Sequence, residues 1–149
     1  MTTTVANSDQ TIDQLNSFLR GELAAVDTYH QALEKVKNAG HRLTVEEIHR
    51  SHKKRAELLH DEVQRRGGIP AKGAGVWGTF AKAVEGSARI FGEKAAFAAL
   101  EEGEDHGRDD YQRDIGKLDE SGRLLIENRV LPEQVRTHNA LASIVRSLA

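Results

Sequence analysis

Two motifs recur in the same order along the chain, and each recurs on a helical period. "GELAAVDTY" (21–29) aligns with "GEDHGRDDY" (103–111), both reading G-E-x-x-x-x-D-x-Y. "EIHRSHKKRA" (47–56) aligns with "EQVRTHNALA" (133–142), both reading E-x-x-R-[ST]-H-x-x-x-A. A chain built from two copies of a two-helix unit has few ways to bury its apolar faces. Two helical hairpins packed as one bundle is the simplest of them.

The rest of the pattern agrees. Only 5% of residues are aromatic and no alternating β-branched run occurs, so the periodicity is helical throughout. The spacing predicts a first helix over 9–38, ending at Gly40, and a second from Thr44 to "RRGG", with "TVEE" as a capping box. A Gly-rich connection follows over 67–78, including Trp77, then a short amphipathic helix over about 79–91 anchored by Phe80, Val84 and Phe91. A third long helix is predicted over 92–118 and a fourth over 121–148, kinked at Pro132. The expectation is an all-α four-helix bundle: two hairpins joined by a crossover, with a short extra helix before the third. Residues 1–8 read as a disordered tail and 9–149 as one domain.

Each long helix has one polar residue on its apolar line. On the first, Glu22 interrupts Leu15, Phe18, Leu19, Val26, Tyr29, Leu33 and Val36; on the second, His52 lies among Val45, Ile48, Ala56, Leu59 and Val63. On the third, Glu104 and Arg108 fall among Phe97, Leu100, Tyr111, Ile115 and Leu118. The fourth line reads Leu131, Val135, His138, Ala142 with Leu141, Val145 and Leu148. Two carboxylates and two imidazoles therefore converge on the bundle axis. Unpaired buried carboxylates are costly and repel each other. A divalent cation held by Glu22, His52, Glu104 and His138 removes both problems, and these donors suit iron, manganese or zinc. Side chains on a helix lean toward its N-terminus, so Tyr29 and Tyr111 are expected to point back at Glu22 and Glu104 and orient them. Gly21 and Gly103 leave room beside the carboxylates. The competing reading is a buried salt-bridge network in which Arg55 pairs with Glu22 and Arg108 with Glu104.

"GELAAVDTYHQA", "RRGGIP", "GGIPAKGAGVWG" and "EEGEDHGRDDY" carry a resemblance to the ferritin-like superfamily, the fold of bacterioferritin and rubrerythrin. The chain looks closest to a bacterial ferritin-like branch known only as a domain of unknown function. Diiron members carry a Glu on two helices and Glu-x-x-His on the other two. The resemblance implies Glu22 and Glu104 as the single glutamates, with His52 and His138 in ligand positions on the other pair, and iron as the first expectation for the metal. His49 and Val135 stand three residues before these histidines, Arg55 and Leu141 three after, so no bridging Glu accompanies either. Glu57-x-x-His60 occurs once, at the edge of the core, without a counterpart.

The formal net charge of -2 argues against binding through nucleic-acid phosphates, and no apolar run approaches the roughly 20 residues of a membrane span. Absent cysteine removes thiolate chemistry and fits a cytoplasmic location; no hydrolytic triad stands out. Two functions stand ahead of a third, a small-ligand site between the helices and the Gly-rich crossover lined by Trp77 and Phe80. One is a metal-binding bundle with redox or metal-handling chemistry, in which a catalysed reaction and a homo-oligomer both stay open. The other is a non-catalytic helical interaction module with a polar core and no metal.

Overall fold

The computed structural model describes residues 7–74, 86 and 92–148. Among these residues every regular element is helical. Helix α1 spans Ser8–Leu33, α2 Ala39–Arg65 and α3 Glu93–Asp114, which runs into a 3₁₀ turn over Ile115–Lys117. Helix α4 (Glu120–Leu125), a π turn (Ile126–Val130) and α5 (Leu131–Ser147) together make the fourth rod of a four-helix bundle. Of the short helix expected over 79–91 only Gly86 is described; Trp77, Phe80, Val84 and Phe91 lie outside the described residues, as do residues 1–6 of the expected tail.

Capping chemistry moves several boundaries. Asn7 accepts from the Gln10 amide at 2.8 Å, and the Gln10 side chain accepts from the Asn7 amide at 3.1 Å. This capping box draws Asn7 and Ser8 out of the expected tail and into α1. Helix α1 stops at Leu33, short of 38, and Asn38 caps α2 by accepting from the His41 amide at 3.0 Å. Asn is at least as good a cap as Thr and comes earlier in the chain, so α2 starts before Thr44. Gly40, expected as a stop, lies in the first turn of α2, and the Thr44 hydroxyl donates to its carbonyl at 3.3 Å. At the far end of α2, Gly67 takes φ +82° and closes the helix. Arg66 then clamps Asp119, the cap of α4, at 2.6 and 3.0 Å.

The fourth rod departs most from the sequence reading. Leu118, Gly122, Ile126, Val130 and Gln134 are all buried, at steps of four residues. That step is wider than the 3.6 of an α-helix and is what a π turn permits. The turn ends just before Pro132, whose ring has no N–H to give. The buried face of α5 is consequently Gln134, Thr137, Leu141, Ala142 and Ile144, while Val135 is 40% exposed. The expected line through Val135 and His138 is off by one residue, about 100° around the helix.

The core has three layers. Leu15, Phe18, Leu19, Leu59, Val63, Tyr111, Ile126 and Val130 form one apolar cluster. Tyr29, Val36, Val45, Ile48, Phe97, Leu100, Leu141 and Ile144 form the other. Between them along every helix lie the buried polar residues Glu22, His52, Arg55, Glu104, Gln134 and Thr137. No helix among the described residues is long and apolar enough to cross a membrane.

Candidate functional site

The middle layer is one connected cluster. His52 sits between the two carboxylates: its Nδ1 is 2.6 Å from Glu22 Oε2 and its Nε2 is 2.7 Å from Glu104 Oε1. Neutral imidazole carries one N–H, so two carboxylate bonds at these distances call for the imidazolium. The electrostatics agree. Burial pushes the His52 pKa down, but the charge of Glu22 and then of Glu104 outweigh it and the net direction is up. The ring also stacks on Tyr29, with centroids 5.0 Å apart.

Arg55, one turn further along α2, is only 1% exposed. Its guanidinium lies 3.5 Å from Glu22 Oε1 and donates to the Thr137 hydroxyl at 3.1 Å and to the Gln134 side-chain carbonyl. Gln134 Nε2 donates to the Glu104 main-chain carbonyl at 2.8 Å and to its carboxylate at 2.9 Å, and the Thr137 hydroxyl reaches the same carboxylate oxygen at 3.0 Å. Burial raises the pKa of both glutamates, yet Arg55 and His52 reverse the direction for Glu22, and His52 with its hydrogen bond brings Glu104 to about 2. The cluster is thus two carboxylates against an imidazolium and a guanidinium, neutral as a whole.

Tyr29 and Tyr111 are buried and each donates to a glutamate, but to the other helix's. Tyr29 bonds Glu104 Oε1 and Tyr111 bonds Glu22 Oε1, both at 2.6 Å. The expected bond within one helix fails on length: seven residues of helix span about 10.5 Å, beyond a phenol's reach. The crossed bonds require α1 and α3 to run antiparallel with Glu22 level with Tyr111, which is the twofold relation the repeat implies. Both phenol pKa values are driven well above 10 by burial and then by the facing carboxylate, so both remain donors.

His138 is not part of the cluster. It lies on the outer side of α5 with its Nε2 2.6 Å from Asp105 Oδ1, because the fourth rod is rolled by its π turn. Arg108 likewise faces Asp105 and Asp109 at the surface, away from the Glu104 carboxylate. Glu57 and His60 are exposed. Gln134 was not apparent from the sequence, since its position reads as a solvent face on the expected line. Thr137 carried a signal, being the [ST] of the repeated motif.

Glycines in α1 and α3 have distinct uses. A Cβ on Gly107 would meet Gln134 Nε2 at 2.9 Å, so the missing side chain is what lets Gln134 reach Glu104. A Cβ on Gly21 would meet nothing within 4 Å. It faces a cavity of about 130 Å³ between α1 and α3, at whose floor the cluster lies.

The donor set can be tested against a metal. Among the described residues no three His, Cys, Asp or Glu side chains are disposed to hold an ion. The reason is visible in the cluster: the imidazole stands between the carboxylates and spends both ring nitrogens on them, and Arg55 already supplies the second positive charge. The arrangement does not fit a bound metal without displacing one of these contacts.

Fold and site together define a four-helix bundle with a charge-neutral polar layer at mid-height. A family model described as "Domain of unknown function (DUF2383)" matches residues 10–117, from α1 through the 3₁₀ turn. The chain belongs to this DUF2383 family. No curated protein and no solved structure matches it.

Proposed function

We propose that the chain is a non-catalytic helical interaction module, a ferritin-like bundle whose metals are replaced by an internal ion-paired cluster. The observation that carries this reading is the position of His52 and Arg55, both buried, against Glu22 and Glu104. In a diiron bundle two helices give a Glu each and the other two give Glu-x-x-His. Here Glu22 and Glu104 match the first pair, and the i, i+3 positions that point into the same layer are His52 with Arg55 and Gln134 with Thr137. The positive charge that metal ions would bring is covalently attached to α2.

Such a cluster gives register. Removing one member strands a buried charge, so helices slipped by a turn are penalised. The cluster therefore supports a single rigid bundle able to present its outer faces to a partner.

The metal reading retains one supporting observation, the gathering of Glu22, His52 and Glu104 from three helices. It requires His52 to release a carboxylate and Arg55 to withdraw, with iron, manganese or zinc taking their place.

Melting of Glu22→Gln separates the two. In the ion-paired cluster the substitution removes a partner of Arg55, His52 and Tyr111, and stability falls equally with chelator and with added iron, manganese or zinc. If instead the variant is stabilised in chelator and destabilised with metal, the ion-paired reading is overturned. Elemental analysis of protein purified without a chelating step is the second check, and a stoichiometric metal would reject the proposal.

A further inference from the structure

Gly21 is a glycine in the middle of a helix with no backbone reason to be one. Its φ is not in the left-handed region, where among the described residues only Gly67 and Gly92 lie. Nor is a neighbour pressed against it, since an added Cβ finds nothing within 4 Å. Alanine is the better residue at such a position. What glycine preserves there is the volume of the cavity between α1 and α3.

Most of that cavity's wall is apolar: Phe18, Ala24, Ala25 and Leu100 beside three glycines, Gly21, Gly103 and Gly107. Its buried polar groups have spent their hydrogens elsewhere. Thr28 donates to the Ala24 carbonyl, Tyr29 to Glu104, Tyr111 to Glu22, His52 to both carboxylates, and both hydrogens of Gln134 go to Glu104. A carboxylate accepts up to about four bonds. Glu104 is filled by His52, Tyr29, Gln134 and Thr137, whereas Glu22, held by His52, Tyr111 and the more distant Arg55, keeps an unused lone pair. Asp114 also lines the cavity and is buried. The buried side chains of the wall therefore accept and do not donate; the donors that also line the cavity, Ser17, His106 and Arg113, are half-buried or exposed.

We propose that this cavity is a binding site for a small neutral molecule with an apolar body and one O–H or N–H donor, the size of phenol. An apolar cavity of about 150 Å³ takes up benzene, so the volume suits one six-membered ring. The donor is selected because the buried part of the wall offers the Glu22 acceptor and no free donor, and anions are rejected because that part holds the carboxylates of Glu22, Glu104 and Asp114. The site is independent of the metal question: the cavity and its acceptors are the same whichever charge neutralises the cluster.

The test is titration of the full chain with phenol, followed by ¹H–¹⁵N shifts, with toluene and benzoate as the same ring without a donor and with a negative charge. Phenol should shift the amides of Gly21, Ala25 and Gly107 and bind at least about tenfold more tightly than either comparison compound. Gly21→Leu, which fills the cavity, should abolish binding. Gly21→Ala should weaken it while leaving a folded protein, which keeps the test valid if the leucine variant does not fold. Gly116→Ala, an exposed glycine with equal free space, should bind as wild type does. Absence of phenol binding, equal binding by benzoate, or binding undiminished in both Gly21 variants would overturn the site, the first of these leaving the cavity to water.

Discussion

In the first half of the chain the motif E-x-x-R-[ST]-H places a histidine in the core; in the second half the same letters place one on the surface. His52 has a side chain 4% exposed and bonds two buried carboxylates, while His138 is 17% exposed and pairs with Asp105, itself 45% exposed. The helices that carry the glutamates kept their symmetry, as the crossed Tyr29–Glu104 and Tyr111–Glu22 bonds show. The helices that carry the histidines did not. Charge explains the outcome: one imidazolium and Arg55 already neutralise two carboxylates, so a second inward imidazolium would be surplus. At the place of Arg55 the second half has Leu141, and at the place of Ile48 it has Gln134. Each half supplies what the other lacks, and the layer balances only across both.

Breaking the first half should cost most. Arg55→Leu, which gives α2 the residue its repeat already has, leaves Glu22 and Glu104 with one positive partner. The expected loss is about 3–5 kcal/mol, read from urea unfolding. Combining it with Glu22→Gln restores neutrality, so the double variant should lose less than the sum of the two singles. An additive pair would show that the guanidinium and the carboxylate are not coupled.

The two histidines give the direct contrast. His52→Ala removes both carboxylate bonds and should cost about 3 kcal/mol or more. His138→Ala should cost under about 1 kcal/mol, since its partner is exposed and the pair is screened. Comparable losses in the two variants would mean that the halves are more alike than their geometry.

Stability should also depend on pH in a way traceable to His52. Its folded pKa is raised, so its contribution is complete below the unfolded value of about 6.5 and is lost as pH climbs through the folded one. Glu22 and Glu104 are lowered, so theirs is present above about 4.3 and is lost as pH falls through the folded values, about 2 for Glu104. The cluster is strongest between those limits, from about pH 4.5 to 6.5. His49, held low mainly by burial, acts in the opposite direction and on the acid side: it costs stability as pH falls below the unfolded value of about 6.5. The measurement is therefore the difference between wild type and His52→Gln in denaturant midpoints across pH. A difference that does not shrink as pH rises past neutrality would rule out the imidazolium.

The smallest contrast is between glycines. Gly107→Ala forces a Cβ against Gln134 and should destabilise by about 1–3 kcal/mol. Gly21→Ala meets only open space and should stabilise by up to about 1 kcal/mol. The counterpart of Gly107 in the first half is Ala25, which faces no Gln because Ile48 stands where Gln134 does. Thermal melts of the two variants shifting in the same direction would contradict this account of their surroundings.

Periodicity alone determined that the chain is helical, that its helices pair as a repeat, and that Glu22, His52, Glu104, Tyr29 and Tyr111 turn inward. These are properties of a single helix face, and a 3.6-residue period reports a face directly. The salt-bridge alternative involving Arg55 was legible too, because one turn separates it from His52. What only the tertiary structure decided is the roll of each rod and the partner at the end of each long side chain. The π turn before Pro132 moves the buried line by one residue, exchanging Val135 and His138 for Gln134 and Thr137. A linear pattern read at an α-helical period has no means of registering that wider turn. The crossing of the tyrosines has the same origin: reach along one helix is limited by its rise, whereas reach across to another depends on how the hairpins face each other, which packing settles.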